Sequence, residues 1–248
     1  MLINNFHMNF KRIGFLEAMK EELDSLLKQF PSSQIKVEKR DFIDFYLINF
    51  KNLELIVCLC GVGKVNSGIT TALMITHYNP DAIINVGVAG GFRNDQHIFD
   101  LFIAESFVYT DVDIMNMGLK PGQILFDPQQ FPASHELVNV VKQLEHDKKI
   151  DTNVHYGLLG SSDSFIRTKE QVTKIQKLYN NEVGCVEMEG ASIAHACYKF
   201  GKPVLSIRSL SDIAVSEEDN TNDFTTFLEK ATFVSTKLCM SILSILSC

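Results

Sequence analysis

"GCVEMEGASIAHACYKFGKPVLSIRSLSDIA", residues 184–214, decides how the chain is read. Two glutamates, Glu187 and Glu189, flank Met188. A run of small and apolar residues follows, "ASIAHACYKF" (191–200), and suits a packed helix ending near Gly201. "PVLSIRSLSD" (203–212) then reads as an apolar strand that carries Arg208 and ends at Asp212. A charged group placed against core costs free energy unless it is paired or used. For each acid alone, a helix cap or a salt bridge is a sufficient reason. Together with Glu22, at the same relative depth after the first strand, the set suggests a pocket lined by carboxylates. Sugar hydroxyls, a polarised water and a basic ring nitrogen are the partners such a pocket serves.

Working outward, strands alternate with helices along the whole chain. "RIGFL" (12–16) reads as a buried strand, and "EAMKEELDSLLKQF" (17–30) repeats apolar residues at helical spacing. "DFYLINF" and "LELIVCLC" are strand-like, and "KVNSGITTALMITHY" is a helix that stops before Pro80. "DAIINVGVAGG" (81–91) reads as a strand breaking into a glycine turn, and "LFIAESFVYT" (101–110) as another strand. Residues 115–135, with three prolines, read as a loop excursion. "YGLLGSSDSFI" is a strand leading into a loop, "KEQVTKIQKLY" a charged-faced helix, and a long helix closes the chain from about Asp223. With no repeat and no low-complexity tract, this predicts one α/β domain around a mostly buried sheet. Residues 1–11 read as an N-terminal extension and 12–248 as that domain. Ligands of such sheets bind beyond the carboxyl ends of strands. Gly87–Gly91, Ser161–Ile166 and Ser209–Asp212 are expected there.

Composition narrows the function classes. The chain of 248 residues is 46% apolar and 21% charged, an ordinary globular balance that speaks against disorder. A net charge of −7 argues against a general nucleic-acid binder or a polybasic membrane protein. The six cysteines form no C-x-x-C pair and lie mostly in apolar surroundings, so free buried thiols are expected. The first residues lack the apolar core of a signal peptide, and the apolar C-terminal stretch is too short to span a bilayer, so a core-packed helix is expected there. A cytoplasmic protein is the default expectation.

Several motifs fall short of a function. "CGVGKVNSG" (60–68) is no phosphate loop: Cys58 and Val65 break one nucleotide-binding pattern and Asn66 the other. Gly61 and Gly63 instead suit a tight strand-to-helix turn. "TDVD" (110–113) lacks neighbouring His or Glu and reads as a solvated loop rather than a metal site. The seven histidines are scattered without zinc spacing. "NVGVAGG" brings backbone close to something, a ligand or a packed turn alike.

The ordered set "IGFLEAMKEEL", "GVGKVNSG", "PDAIINVGVAGG", "SSDSFI", "VEMEGASIAHACYKFGKPVLSIRSLSDIA" and "FTTFL" resembles the 5′-methylthioadenosine/S-adenosylhomocysteine nucleosidases of the nucleoside phosphorylase superfamily. The likeness runs from about residue 12 to 245, and its "VEMEG…RSLSD" block is the specific part. It implies a three-layer α/β fold with a central mixed sheet flanked by helices, a homodimer, no metal and no cofactor. It implies cleavage of the bond between adenine and a thio-substituted ribose. In this likeness Asp212 is the general acid for adenine N7, oriented by Ser211. Glu22 is the base for water, and Glu189 holds the ribose hydroxyls. Met188 packs on the ribose beside Glu187, and Arg208 anchors that region. Phe165 stacks on the purine, Ile166 offers its backbone to the base, and Val88, Ala89 and Gly90 form the turn beside them. Phe224 opens the last helix. The loop around Met115–Phe131, from one subunit or from both, is expected to build the pocket for the substrate's tail.

Two residues depart from the family's pattern. Val88 replaces the usual Ser beside the attacking water, and Glu17 replaces a Gly at the turn into the first helix. The chemistry agrees with the roles: cleavage puts positive charge on the sugar and negative charge on the base. Asp212 must hold a proton near neutrality, so burial is expected to raise its pKa. A phosphorylase of the same fold is disfavoured because Glu22 would repel phosphate. A binding or adhesion protein that kept the pocket but lost turnover is disfavoured by the intact set Glu22, Glu189 and Asp212.

Overall fold

A computed structural model describes residues 10–214 and 221–247, and for 221–225 the backbone only. The first strand, β1 (Arg12–Glu17), leads into α1 (Lys20–Leu27). Three strands follow, β2 (Ile35–Arg40), β3 (Ile43–Phe50) and β4 (Leu53–Leu59), and then α2 (Lys64–Tyr78). β5 (Ala82–Gly91), β6 (Leu101–Tyr109) and the short β7 (Phe131–Pro132) precede α3 (His135–His146). β8 (Val154–Ser161), α4 (Lys169–Leu178), β9 (Val183–Glu187), α5 (Gly190–Phe200), β10 (Val204–Ile213) and α6 (Thr221–Leu246) complete the chain.

All the strands join one mixed sheet. β1 lies between β4 and β5, parallel to both, and β3 and β2 extend that side as antiparallel neighbours. The other side closes on itself: β5 pairs with β10, β10 with β6, β6 with β8, β8 with β9, and β9 returns to β5. Helices cover both faces. One apolar cluster joins Ile13, Phe15, Ile84 and Ile207 to Leu23 of α1, Val141 of α3 and Ile242 of α6. A second joins Leu16, Ile83 and Leu210 to Met74 of α2 and Ile193 of α5. Alternate residues of β1, β5 and β10 thus serve opposite layers, as the two-residue period of a strand requires. The α/β fold with helices on both sides of a central sheet is the one the sequence predicts.

Local details differ from the sequence reading. β1 runs through Glu17 and α1 occupies only Lys20–Leu27, because the Ala18–Met19 turn is fixed by Glu22. β5 does not break into a turn: Gly87–Gly91 continue the strand, fully buried and paired with β10. β2, α3 and β9 lie where the sequence reading assigns no element. β2 carries four charges in six residues and little apolar alternation. Where the expected helix stops before Pro80, Asn79 takes the left-handed conformation. Residues 115–135 hold only a short 3-10 turn, β7 and the first residue of α3. Cys58, Cys60, Cys185, Cys197 and Cys239 are buried free thiols, as expected, and Cys248 lies outside the described residues. Leu238, Ile242 and Leu243 of α6 are buried against the sheet, so the C-terminal stretch is a core helix. Among the described residues, no helix is long and apolar enough to cross a membrane.

Candidate active site

A cavity of about 310 Å³ opens at the carboxyl ends of β1, β5 and β10. Glu22, Val88, Ala89, Gly90, Phe165, Ile166, Glu187, Met188, Glu189, Ser211 and Asp212 all line it, so the structure brings these sequence-predicted residues together. Ala18, Met19, Val62, Ser164 and Val186 complete the wall. Phe224 lies in α6, and its side chain is outside the described residues. Among the described residues, none from the loop around Met115–Phe131 lines this cavity, so the tail-pocket expectation is not met within one chain.

Glu22 sits on the first turn of α1 and is 2% exposed. Its Oε2 accepts the N–H groups of Ala18 and Met19, both at 2.9 Å, and its Oε1 accepts that of Val88 at 3.2 Å. Burial raises its pKa, while Arg208 and these three donors act against the rise. The contact from Val88 is made by its backbone, so the replacement of the family's Ser leaves this anchor of Glu22 in place. Gly87 is required here: a Cβ on it would collide with Arg208 Nη1 and Glu22 Oε1.

Arg208 does not line the cavity; it is 1% exposed and lies beneath it. Its Nη2 pairs with Glu187 Oε2 at 2.5 Å and with Asn85 Oδ1. Asn85 is itself fixed, because its Nδ2 donates to Leu16 O at 2.8 Å. Both oxygens of Glu187 are committed to the protein. Oε2 accepts Glu189 N at 3.0 Å and Gly190 N at 2.7 Å, the free donors at the start of α5, and Oε1 accepts the Ser161 hydroxyl. Thus Glu187 and Arg208 form a buried pair that sets the floor of the pocket, Glu187 on its lining and Arg208 beneath.

Glu189 follows at the N-terminus of α5 and is 4% exposed. Its Oε1 accepts Gly63 N at 2.8 Å, where Gly63 has φ +96°, a conformation that favours glycine. Burial first, then the neighbouring Glu187, push its pKa up to about 8. The start of α2, which resembles a phosphate loop in sequence, therefore faces carboxylates: Gly63 N meets Glu189 and Lys64 N meets Asp163.

Asp212 reaches the cavity through an irregularity of β10. The register with β5 shifts between Leu210 and Asp212, which leaves Ser211 as a bulge and sets Asp212 opposite Gly90. A Cβ on Gly90 would stand 2.9 Å from Asp212 Oδ2. Ser211 Oγ donates to Asp212 Oδ1 at 2.9 Å, the orienting contact the sequence predicts.

Glu17 closes β1, its carbonyl accepting Cys60 N at 2.8 Å, and the turn that follows is held by Glu22. The Glu17 side chain, however, is 0% exposed, and among the described residues neither carboxyl oxygen has a hydrogen-bond partner. Burial, and then Glu22, raise its pKa well above the usual carboxylate range, with Arg208 acting against them.

Sequence reasoning missed Asn85, the donor Gly63 N and the Lys64–Asp163 contact as parts of the site, and it placed Ser161 at a strand end without its bond to Glu187. A buried Asn inside the apolar run "AIINVGV" was a readable signal for the first. The others depend on contacts between distant segments.

The geometry defines an enzyme-like pocket: buried acids at strand ends around a cavity the size of a small polar ligand. The profile of the phosphorylase superfamily matches residues 12–247. A 5′-methylthioadenosine/S-adenosylhomocysteine nucleosidase from an Exiguobacterium species is 35% identical over 231 residues, covering 93% of this chain and 97% of that protein. The crystal structure of the nucleosidase of the same name from Colwellia psychrerythraea, in complex with adenine, superimposes with a TM-score of 0.89 at 29% identity, covering 96% of each chain. A futalosine hydrolase structure from Helicobacter pylori gives a TM-score of 0.88 at 31% identity, covering 95% of this chain and 98% of that one. The chain belongs to the phosphorylase superfamily and, within it, to the 5′-methylthioadenosine/S-adenosylhomocysteine nucleosidases. It is an enzyme of the nucleosidase type.

Proposed function

We propose that the chain hydrolyses the N-glycosidic bond of 5′-methylthioadenosine, S-adenosylhomocysteine and 5′-deoxyadenosine, releasing adenine and the 5′-substituted ribose. The observation that carries this reading is the placement of Glu22, Glu189 and Asp212 around one cavity. Water adds to the anomeric carbon as the bond to adenine N9 breaks, and the bonding electrons leave with the base. Asp212, held by Ser211, gives a proton to N7, so adenine departs neutral. Glu22 takes the proton of the attacking water. Its two oxygens are pinned by backbone donors, which fixes the direction of the basic lone pair.

Glu189 holds the ribose hydroxyls and faces the positive charge that builds on the sugar. Burial raises its pKa, and a cation beside it favours its ionised form. Its attraction for the sugar is therefore strongest in the transition state, the condition for catalysis rather than mere binding. Met188 packs on the ribose, Phe165 stacks on the purine, and Ile166 offers its backbone to the edge of the base. Arg208 acts through Glu187 and Glu22 and needs no contact with substrate.

Two copies are proposed to pair, with residues 12–248 as one catalytic unit in the cytoplasm, acting without metal or cofactor. Exposed Val62 at the cavity, Val65 and Ile69 on α2, and Met117, Leu125 and Phe126 in the loop after β6 supply apolar surface for that contact. The tail of the substrate would meet the partner's copy of that loop. The test is adenine release from each nucleoside in phosphate-free buffer, on material whose sedimentation gives the mass of a dimer. Turnover that requires phosphate and yields ribose 1-phosphate would sink the hydrolase reading, and a monomer of full activity would sink the pairing.

A further inference from the structure

The start of α2 joins two walls of the cavity. The first N–H groups of a helix have no partner within it and must find one outside. Gly63 N donates to Glu189 at 2.8 Å, and the next one, Lys64 N, donates to Asp163 Oδ1 at 2.8 Å. Adjacent peptide groups thus hold a residue of the Glu189 wall and a residue of the loop after β8.

The side chain of Lys64 adds a second tie. Its ammonium lies 5.5 Å from the centre of the Tyr109 ring and meets Asp111 Oδ1 and Oδ2 at 2.7 and 2.6 Å. It also stands 3.5 Å from Asp163 Oδ2. Asp111 Oδ2 in turn accepts Asp163 N at 2.9 Å. One cation therefore gathers the exit of β6, the start of α2 and the loop after β8. Lys64 and Asp111 are sheltered, with 20% and 28% of their side chains exposed, while Asp163 is half exposed.

Asp163 precedes Phe165 and Ile166 by two and three residues. Three further ties of this loop run elsewhere. Ser162 N donates to Glu187 O at 3.1 Å, Ser162 Oγ to Ser164 O at 2.7 Å, and Gln171 Nε2 to Phe165 O at 3.5 Å. None of these three reaches α2.

We propose that Lys64 is a positioning residue for the purine: it holds Asp111 and Asp163 together and so keeps Phe165 and Ile166 over the cavity. This inference rests on the reading of the cavity as an adenine nucleoside site. Without the ammonium, two carboxylates point at one another across a sheltered space and repel. The loop is then less often in place, and binding is weakened by the fraction of time it is absent. Substrate and transition state both use the purine contact, so the loss falls on KM rather than on kcat.

The experiment compares wild type, Lys64→Met, Lys64→Arg and Asp111→Asn. Lys64→Met should raise KM for methylthioadenosine and Kd for adenine about tenfold, with kcat changed less than about threefold. Lys64→Arg should recover most of that loss, because the charge is restored. Added salt should raise the wild-type KM and leave that of Lys64→Met nearly flat, since there is no pair left to screen. Should Lys64→Met fail to fold by circular dichroism, Asp111→Asn gives the same test, with a smaller rise in KM. Adenine affinity unchanged in both variants, or a fall in kcat at constant KM, would overturn the assignment. If wild type itself binds no adenine, the nucleosidase reading has failed instead, and calorimetry on wild type separates the two.

Discussion

The two halves of the cavity are built differently. Glu22, Glu187, Glu189 and Arg208 form one half, held by hydrogen bonds that are themselves buried in strand ends and helix starts. Phe165 and Ile166 belong to the other half, on a loop fastened by half-sheltered ions. Asp212 joins them from the bulge in β10. Fixed charge is placed where, on this account, water is activated and the sugar becomes a cation. The loop is placed where, on the proposed reading, a flat base enters and leaves. Preorganised dipoles stabilise a transition state without moving at the moment of reaction, whereas a base must be admitted and released.

If this division is right, substitutions should separate along it. Asp212→Asn and Glu22→Ala should each lower kcat by about a hundredfold to ten-thousandfold, the usual loss for a general acid or base. Glu189→Gln should also lower kcat more than it raises KM, because its charge is used mainly in the transition state. Single-turnover release of adenine measures these losses free of product release. Near-wild-type rates in any of the three would remove its assigned role.

The next effect sharpens a contrast within the first half. Glu22 and Glu17 are both buried, but Glu22 has three backbone donors and Glu17 has none. The folded pKa of Glu17 is raised well above 4.5, so the native state keeps a proton that the unfolded chain gives up above that pH. Its contribution to stability is therefore whole below about pH 4.5 and declines as pH rises toward the folded pKa, by at most about 1.4 kcal/mol per pH unit. Glu17→Gln keeps the shape and has no proton to lose. In denaturant titrations from pH 5 to 8, the wild type should lose stability relative to this variant as pH rises. Parallel curves would mean that Glu17 is ionised and paired in the folded protein.

The smallest effect is expected at Val88. Its N–H holds Glu22 whatever the side chain, so Val88→Ser should change kcat by less than about tenfold. A hundredfold gain would mark the natural valine as a crippling replacement and favour a binding protein over an enzyme.

The charged part of the site was largely legible in sequence. Glu187, Glu189, Arg208 and Asp212 stand out because charges inside apolar runs demand a partner or a use, and the structure places all four around one cavity or directly beneath it. What sequence could not tell was what holds each of them in place. Glu187 and Arg208 are satisfied by one another, by Asn85 and by the start of α5, contacts between segments far apart in the chain. The bulge at Ser211 has no local signature, since "SLSDI" reads as plain alternation. β2 was missed because an edge strand with charged residues lacks the apolar period that marks buried ones. The glycines of β5 were misread as a turn: their small size serves the close approach of Arg208, Glu22 and Asp212, not a change of direction.

The central claim is that two acids of the cavity do separate chemical work, Asp212 protonating the leaving base and Glu22 activating water. It is tested most directly with a 5-methylthioriboside whose leaving group, p-nitrophenolate, departs without a proton. On this substrate Asp212→Asn should recover to within about tenfold of wild type, because the acid is no longer needed, while Glu22→Ala should stay at least about a hundredfold slow. An Asp212→Asn enzyme as impaired on the nitrophenyl substrate as on methylthioadenosine, or a Glu22→Ala enzyme rescued by it, would contradict the division.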